Sequence, residues 1–339
     1  MIIVIKEAIS QVVKGENLDL ETAKTVMNEI MGGEATNAQI ASLLTAMMMK
    51  GETIDEITAF ASVMRDKALH INPKGDVMEI VGTGGDGSGT FNISTTSAFV
   101  ISAGGVPVAK HGNRSMSSKS GAADCLENMG VDLSISPERS EDILNQCGMC
   151  FMFAQGYHKS MKYVAPVRKE IGIRNIFNIL GPLTNPANAN MQVMGVFNKE
   201  LCKPLAQVLI NLGVKKGMVV YGLDGIDEAT VTGKTYCCEI KDGEIKDYYI
   251  TPEEMGLKRY SMEELLGGDG KENAQIAIDI LKGETVGAKR DAVLLNAGIA
   301  LYIAGKADTI KSGVEMAEKI IDEGKAFNKK EEFVALTNE

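Results

Sequence analysis

Residues 77–124 read VMEIVGTGGDGSGTFNISTTSAFVISAGGVPVAKHGNRSMSSKSGAAD, and this stretch states one plan twice. A short apolar run (VMEIV, 77–81; VPVA, 106–109) leads at once into a loop of glycines, hydroxyls and cations (82–89; 111–120). An apolar segment of helical character follows each loop (93–104; 121–129). Strand, loop and helix in succession predict an α/β fold whose strands run parallel, with ligands at their carboxyl ends. From Gly87 to Ala123 there is no Asp or Glu, although the chain carries 45 acidic residues and a net charge of −10. Lys110, Arg114 and Lys119 fall in that acid-free window. Glycines admit close approach of backbone N–H groups to a phosphate, hydroxyls donate, and cations neutralise, so the two loops read as cradles for an anion with two phosphate groups. The first loop lacks the Gly-Lys-Ser/Thr ending of a P-loop.

Outward from this core the pattern changes on both sides. Residues 1–72 show only helical periodicity, over 20–31, 35–49 and 53–69, before the break at Asn72-Pro73-Lys74-Gly75. Downstream, apolar strands are expected at 149–153, 191–197 and 218–222. A hairpin over 235–250 turns at Asp242-Gly243, and helices return at 290–304 and 308–323. The expected fold class is α/β: a small all-helical N-terminal domain (1–72) plus a larger α/β domain (73–339) with a mainly parallel central sheet.

Composition narrows the function. With 45% hydrophobic and 24% charged residues the chain reads as globular. Lys6 and Glu7 interrupt the apolar start that a signal peptide needs, and no run reaches membrane-spanning length, so a cytoplasmic protein without membrane partners is expected. An acidic chain with one basic cluster suits a small anionic ligand and argues against nucleic acid. The six cysteines, including the Cys147/Cys150 and Cys237/Cys238 pairs, lie in apolar runs and read as buried thiols. In GLDGIDEATVTG (222–233) adjacent Asp227 and Glu228 follow the strand MVVYG, where carboxylates could hold one or two Mg²⁺ ions against a phosphate-rich ligand.

GTGGDGSGTFNIST (82–95), KHGNRSMSSKSGAADCLE (110–127), VAPVRKEIGIRNIFNILGPLTNPANA (164–189), GLDGIDEATVTG (222–233) and RDAVLLNAGIALYIAG (290–305) together resemble the anthranilate phosphoribosyltransferase family over nearly the whole chain. The resemblance implies transfer of a phosphoribosyl group from 5-phosphoribosyl 1-diphosphate to the amine of anthranilate by a Mg²⁺-dependent homodimer, with the helical domain joined by helices near 165–185. It places the donor on Gly82, Gly85, Asp86, Thr90, Asn92, Ser94 and Thr95, and its phosphates on Lys110, His111, Gly112, Asn113, Arg114, Ser115, Ser117 and Ser118. Ala122 stands at a further phosphate position where many members carry Ser. Anthranilate falls on Gly82, Asn113 and Arg168, with His111, His158 and Pro182 along its approach, and the metal on Ser94, Asp227 and Glu228. Lys110 would stabilise charge on the leaving diphosphate, and no general base stands out. A pyrimidine nucleoside phosphorylase is similar in fold but takes inorganic phosphate and lacks the first loop as written here. A non-catalytic nucleic-acid-binding relative would be basic and without the Asp227-Glu228 pair.

Overall fold

The structure, a computed structural model, describes residues 4–115 and 119–339. Seven strands form one sheet in the order β3-β2-β1-β4-β5-β6-β7: β1 Met78–Gly82, β2 Val108–Gly112, β3 Met149–Phe153, β4 Met191–Gly195, β5 Lys216–Gly222, β6 Thr235–Lys241 and β7 Glu244–Ile250. The first five in that order are parallel and the last two form an antiparallel hairpin on the edge. Asp242 (φ 53°) and Gly243 (φ 79°) supply the two left-handed residues of its tight turn, as expected for Asp-Gly. The observed class, an N-terminal helical bundle beside a larger α/β unit with a mostly parallel sheet, is the one expected.

Helices cover both faces of the sheet. On one face the helices Ile93–Ala103, Gly270–Leu281, Ala288–Ile303, Ile310–Asp322 and Lys325–Thr337 close the largest apolar core, with Phe99, Leu295, Leu301 and Phe333 fully buried. The other face shares a core with the N-terminal helices Ile5–Val13, Leu20–Gly32, Asn37–Lys50 and Ile54–Asp66. Those helices start where the sequence supplies caps: Asp19, Thr36 and Thr53 each accept a backbone N–H of the first turn. Val164, Val167, Ile176, Phe177 and Leu180, from Ala165–Ile171 and Phe177–Leu180 and their flanks, pack into the same core as the bundle.

The chain runs from β1 to β2 and β3 on one side, then crosses to β4 on the other side of β1. This reversal leaves a crevice beyond the carboxyl ends of β1, β2 and β4, the place where open α/β sheets bind ligands. No helix among the described residues is long and apolar enough to cross a membrane.

Candidate active site

A cleft of about 750 Å³ occupies that crevice and lies between the strand ends and the segment 154–184. Its first wall is the loop after β1. Gly84, Gly85, Gly87 and Gly89 all take left-handed φ between 68° and 76°, a run that side-chain-bearing residues tolerate poorly. Asp86 closes the loop on itself by accepting Ser88 N–H at 3.2 Å and Ser88 Oγ–H at 2.7 Å. Thr90, Asn92 and Ser94 also line the cleft. Thr95 does not: it is 1% exposed, turned into the core by the helix that begins at Ile93.

The second wall is the end of β2. Lys110 is buried, and its ammonium donates to the Ile80 carbonyl at 2.5 Å and to Ser94 Oγ at 3.3 Å. Burial lowers its pKa, opposed by the charges of Glu79, Glu228 and Asp227. His111, Gly112, Asn113, Arg114, Ser115 and Ala122 complete this wall, while Ser117 and Ser118 lie outside the described residues. Arg114 is less available to a phosphate than the acid-free window suggested. Its guanidinium forms hydrogen bonds with Asp124 at 3.0 Å and, two-pronged, with Glu127 at 2.7 and 3.0 Å. Asp124 also accepts Ser115 N–H and Gly121 N–H, so the first acid beyond the window folds back onto the loop and tethers it.

Opposite the loops stand Asp227 and Glu228, brought in by the turn after β5. Asp227 accepts Gly84 N–H at 2.6 Å, and burial, then the charge of Asp86, hold its carboxyl well above the usual carboxylate range. Burial and then Asp227 do the same to Glu228. Crowded carboxylates with raised pKa values are what a divalent cation relieves. No cluster of three His, Cys, Asp or Glu side chains is arranged to hold a metal among the described residues. Two protein carboxylates with a hydroxyl, Asp227, Glu228 and Ser94, would suit Mg²⁺, a hard cation that takes oxygen ligands.

The far wall carries Arg168, Pro182 and the imidazoles of His111 and His158, whose rings lie 5.0 Å apart. Arg168 is half-buried, its guanidinium 5.4 Å from the centre of the Phe177 ring, and no carboxylate among the described residues pairs with it. The Nε2 atoms of both histidines are buried without a hydrogen-bond partner. Burial pushes His158 down to about 4, and burial with the neighbouring His158 pushes His111 down to about 3. Both rings are therefore neutral at physiological pH. An imidazole with a depressed folded pKa contributes stability that is complete above about pH 6.5 and is lost as the pH falls toward the folded value. We expect the melting temperature to drop between pH 6.5 and 4, at about 1.4 kcal/mol per unit of displacement, and to drop less in His158→Gln. Calorimetric melts across that range check this, and an unchanged acid-side slope in the variant refutes it.

Three residues outside the sequence expectations shape the cleft. Gly195, at the end of β4 and in register with Gly82, lies directly beneath the Asp227 backbone. Asn296, fully buried, holds Ala229 at both N–H (3.1 Å) and carbonyl (2.9 Å), fixing the residue next to Glu228. Arg174 donates to the Gly85 carbonyl while stacking 4.3 Å from the centre of the Phe197 ring. Arg174 and Asn296 sit within quoted motifs, but only the three-dimensional neighbour gives either a task.

A helical bundle followed by an α/β unit with paired phosphate-type loops is the make-up of one class of glycosyl transferase. Residues 6–68 match the helical bundle domain of the glycosyl transferase family and residues 74–327 its a/b domain, so the chain belongs to this family. It is 57% identical over 334 residues to the anthranilate phosphoribosyltransferase of Ruminiclostridium cellulolyticum, covering 98% of each chain. It is 57% identical to that of Methanobrevibacter smithii, covering 98% of this chain and 99% of that one. Among solved structures, the anthranilate phosphoribosyltransferase of Thermus thermophilus superposes with a TM-score of 0.93 at 45% identity, covering 98% of this chain and 99% of that one. The enzyme of Saccharomyces cerevisiae in complex with PRPP and Mg gives 0.92 at 25% identity, covering 98% of both.

Proposed function

We propose that this chain is an anthranilate phosphoribosyltransferase. It moves the phosphoribosyl group of 5-phosphoribosyl 1-diphosphate onto the amine of anthranilate, releasing diphosphate, in tryptophan biosynthesis. The observation that carries the reading is a single cleft in which two anion-type loops face an acidic pair on one side and, on the other, the guanidinium of Arg168, which no carboxylate among the described residues pairs. The names carried by relatives identical at 57% point the same way, and toward neither the phosphorylase nor the nucleic-acid-binding alternative.

In this reading Gly82, Gly85, Asp86, Thr90, Asn92, Ser94 and the β2 loop hold the donor, and Ser94, Asp227 and Glu228 hold Mg²⁺. When bound, Mg²⁺ neutralises charge on the diphosphate. The amine nitrogen bonds to the anomeric carbon as the bond to the diphosphate oxygen breaks, and the electron pair leaves with the diphosphate. Lys110, buried and anchored at Ile80, puts a fixed positive charge beside the departing group. Arg168 takes the carboxylate of anthranilate in a two-pronged bond, and the neutral rings of His111 and His158 with Pro182 line its approach. An arylamine is unprotonated at neutral pH, so orientation rather than prior deprotonation readies it to attack, and the proton that its nitrogen sheds once the new bond forms passes to the departing diphosphate or to water.

The helical region 1–72, joined by the helices near 165–185, forms one domain of the proposed enzyme and 73–339 the other. The same reading makes the enzyme a homodimer, and Val13, Met48 and Met49 are exposed on the bundle. A cytoplasmic enzyme without nucleic-acid or membrane partners fits the acidic composition.

Loss of anthranilate fluorescence with 5-phosphoribosyl 1-diphosphate and Mg²⁺ tests the activity, and absence of turnover by folded protein refutes it. In the same assay Arg168→Ala should raise the anthranilate KM roughly 10- to 100-fold, as expected for a lost charged hydrogen bond of about 1.5 to 3 kcal/mol. A rise in the donor KM alone would contradict the assignment of Arg168.

A further inference from the structure

β1 and β2 share only one register pair, Met78 with Val108, whereas β1 stays paired with β4 to Gly82 and β2 stays paired with β3 to Gly112. Beyond that pair the two strands part, and polar side chains fill the opening. The Glu79 carboxylate, fully buried, accepts His111 N–H at 3.1 and 3.2 Å and one amide N–H of Asn185. The same Asn185 nitrogen donates to the Ala109 carbonyl at 2.8 Å, while its Oδ1 accepts Ala187 N–H. On the opposite face, the Ile80 carbonyl takes the Lys110 ammonium. The His111 N–H, the Ala109 carbonyl and the Ile80 carbonyl are the groups that a continued β1–β2 ladder would have paired with backbone.

The carboxylate of Glu79 is thus where three chain segments meet. β1 leads into the first loop; β2 carries Lys110 and His111 and leads into Asn113; and Asn185 ends the stretch whose Pro182 and Thr184 line the acceptor side. Burial pushes the Glu79 carboxyl up to about 8, opposed first by the charge of Lys110, then by its hydrogen bonds with Asn185 and His111, and by the charge of Arg65. Arg65, from the helical bundle, donates to the Leu183 carbonyl at 2.7 Å. A buried acid that accepts donors from two other segments holds all three in one arrangement, and it does so without reaching the cleft itself.

We propose that Glu79 and Asn185 act together as positioning residues, a polar wedge that sets the splay of β1 from β2 and so registers both donor-binding loops against the acceptor side. This rests on the transferase reading given above. Glu79→Gln leaves one acceptor oxygen for two sets of donors and forces an N–H against an N–H. Asn185→Ala strands the Ala109 carbonyl. Either change lets the end of β2 shift by a fraction of an ångström, and a misplacement of about 1 Å costs on the order of 100-fold in rate.

The test is steady-state kinetics of Glu79→Gln, Asn185→Ala and the double variant, normalised to the folded fraction from calorimetry, with Asn185→Ser as the milder substitution should the others fold poorly. The expected result is kcat/KM reduced roughly 30- to 100-fold for both substrates. The double variant should lose no more than about threefold beyond the worse single one, because the pair acts as a unit. A merely structural role would lower the melting temperature and leave kcat and both KM values of the folded molecules within threefold of wild type, overturning the proposal. Multiplicative losses in the double variant, or a change confined to one substrate, overturn it as well. Failure of the wild-type chain to consume anthranilate would instead sink the functional reading on which the proposal rests.

Discussion

Asp227→Asn combined with Glu228→Gln should lower turnover at least about 1,000-fold, while the protein without Mg²⁺ melts no lower than wild type. The two halves of the expectation share one cause. Burial, with the charge of Asp86 on Asp227 and that of Asp227 on Glu228, holds both carboxyls above their ordinary range, so in the absence of a cation the pair costs stability once it ionises. An acid whose folded pKa is raised gives up stability as the pH climbs past the ordinary carboxylate range of about 4. Amides remove that strain and keep an oxygen to accept Gly84 N–H. They also remove the charge that would hold a cation, and a cation's contribution to a departing diphosphate is several kcal/mol, which is three or more powers of ten in rate. Differential scanning calorimetry with and without Mg²⁺ and inorganic pyrophosphate separates binding from catalysis. Wild type should be stabilised by the combination and the variant should not. A variant with normal rates at limiting Mg²⁺ would remove the metal role from this pair.

Gly195→Ala should be the most damaging single-methyl change in the sheet. A Cβ on Gly195 would lie 1.6 Å from the carbonyl oxygen of Asp227 and 2.3 Å from its carbonyl carbon, both of them backbone atoms. Backbone cannot rotate away as a side chain can, so the turn 223–230 has to lift off the strand. That turn is anchored on its far side by Asn296, which grips Ala229 at both ends of its peptide. Lifting it therefore breaks one anchor or the other. We expect turnover to fall at least about 100-fold, in line with displacement of about 1 Å at a reacting centre. Far-ultraviolet circular dichroism should stay that of wild type, because β4 keeps its pairing with β1 and β5. Activity within threefold of wild type would show that the turn relaxes without moving its carboxylates.

The reading of residues 77–124 carried most of the architecture, because strand, loop and helix are local patterns and the two loops announce themselves by composition. The hairpin at Asp242-Gly243 was equally legible, since its turn chemistry admits few alternatives. What the chain order concealed was everything decided by contact across the fold. The window without acids predicted an unopposed cationic loop, yet Asp124, the next residue, and Glu127, about one helical turn on, return to capture Arg114. Thr95 follows Ser94 in the motif but lies about 100° further round the helix, which turns it into the core. Glu79 and Asn185 are more than 100 positions apart, and no periodicity links them. Gly195 sits in an apolar strand where its missing side chain reads as a weakness, and only the chain passing above it gives the reason.

The hydrogen bond from Gly84 N–H to Asp227 gives the glycine cradle a tethered substitute for its guest. An incoming oxyanion must compete with a carboxylate held on the same molecule at high local concentration. A lone, weakly charged anion gains little by that exchange. One that arrives with a cation able to take up the released carboxylate gains at both ends of the swap. In the proposed enzyme, discrimination among the cell's many phosphates would thus begin before the sugar is touched, as a refusal of those that come unaccompanied.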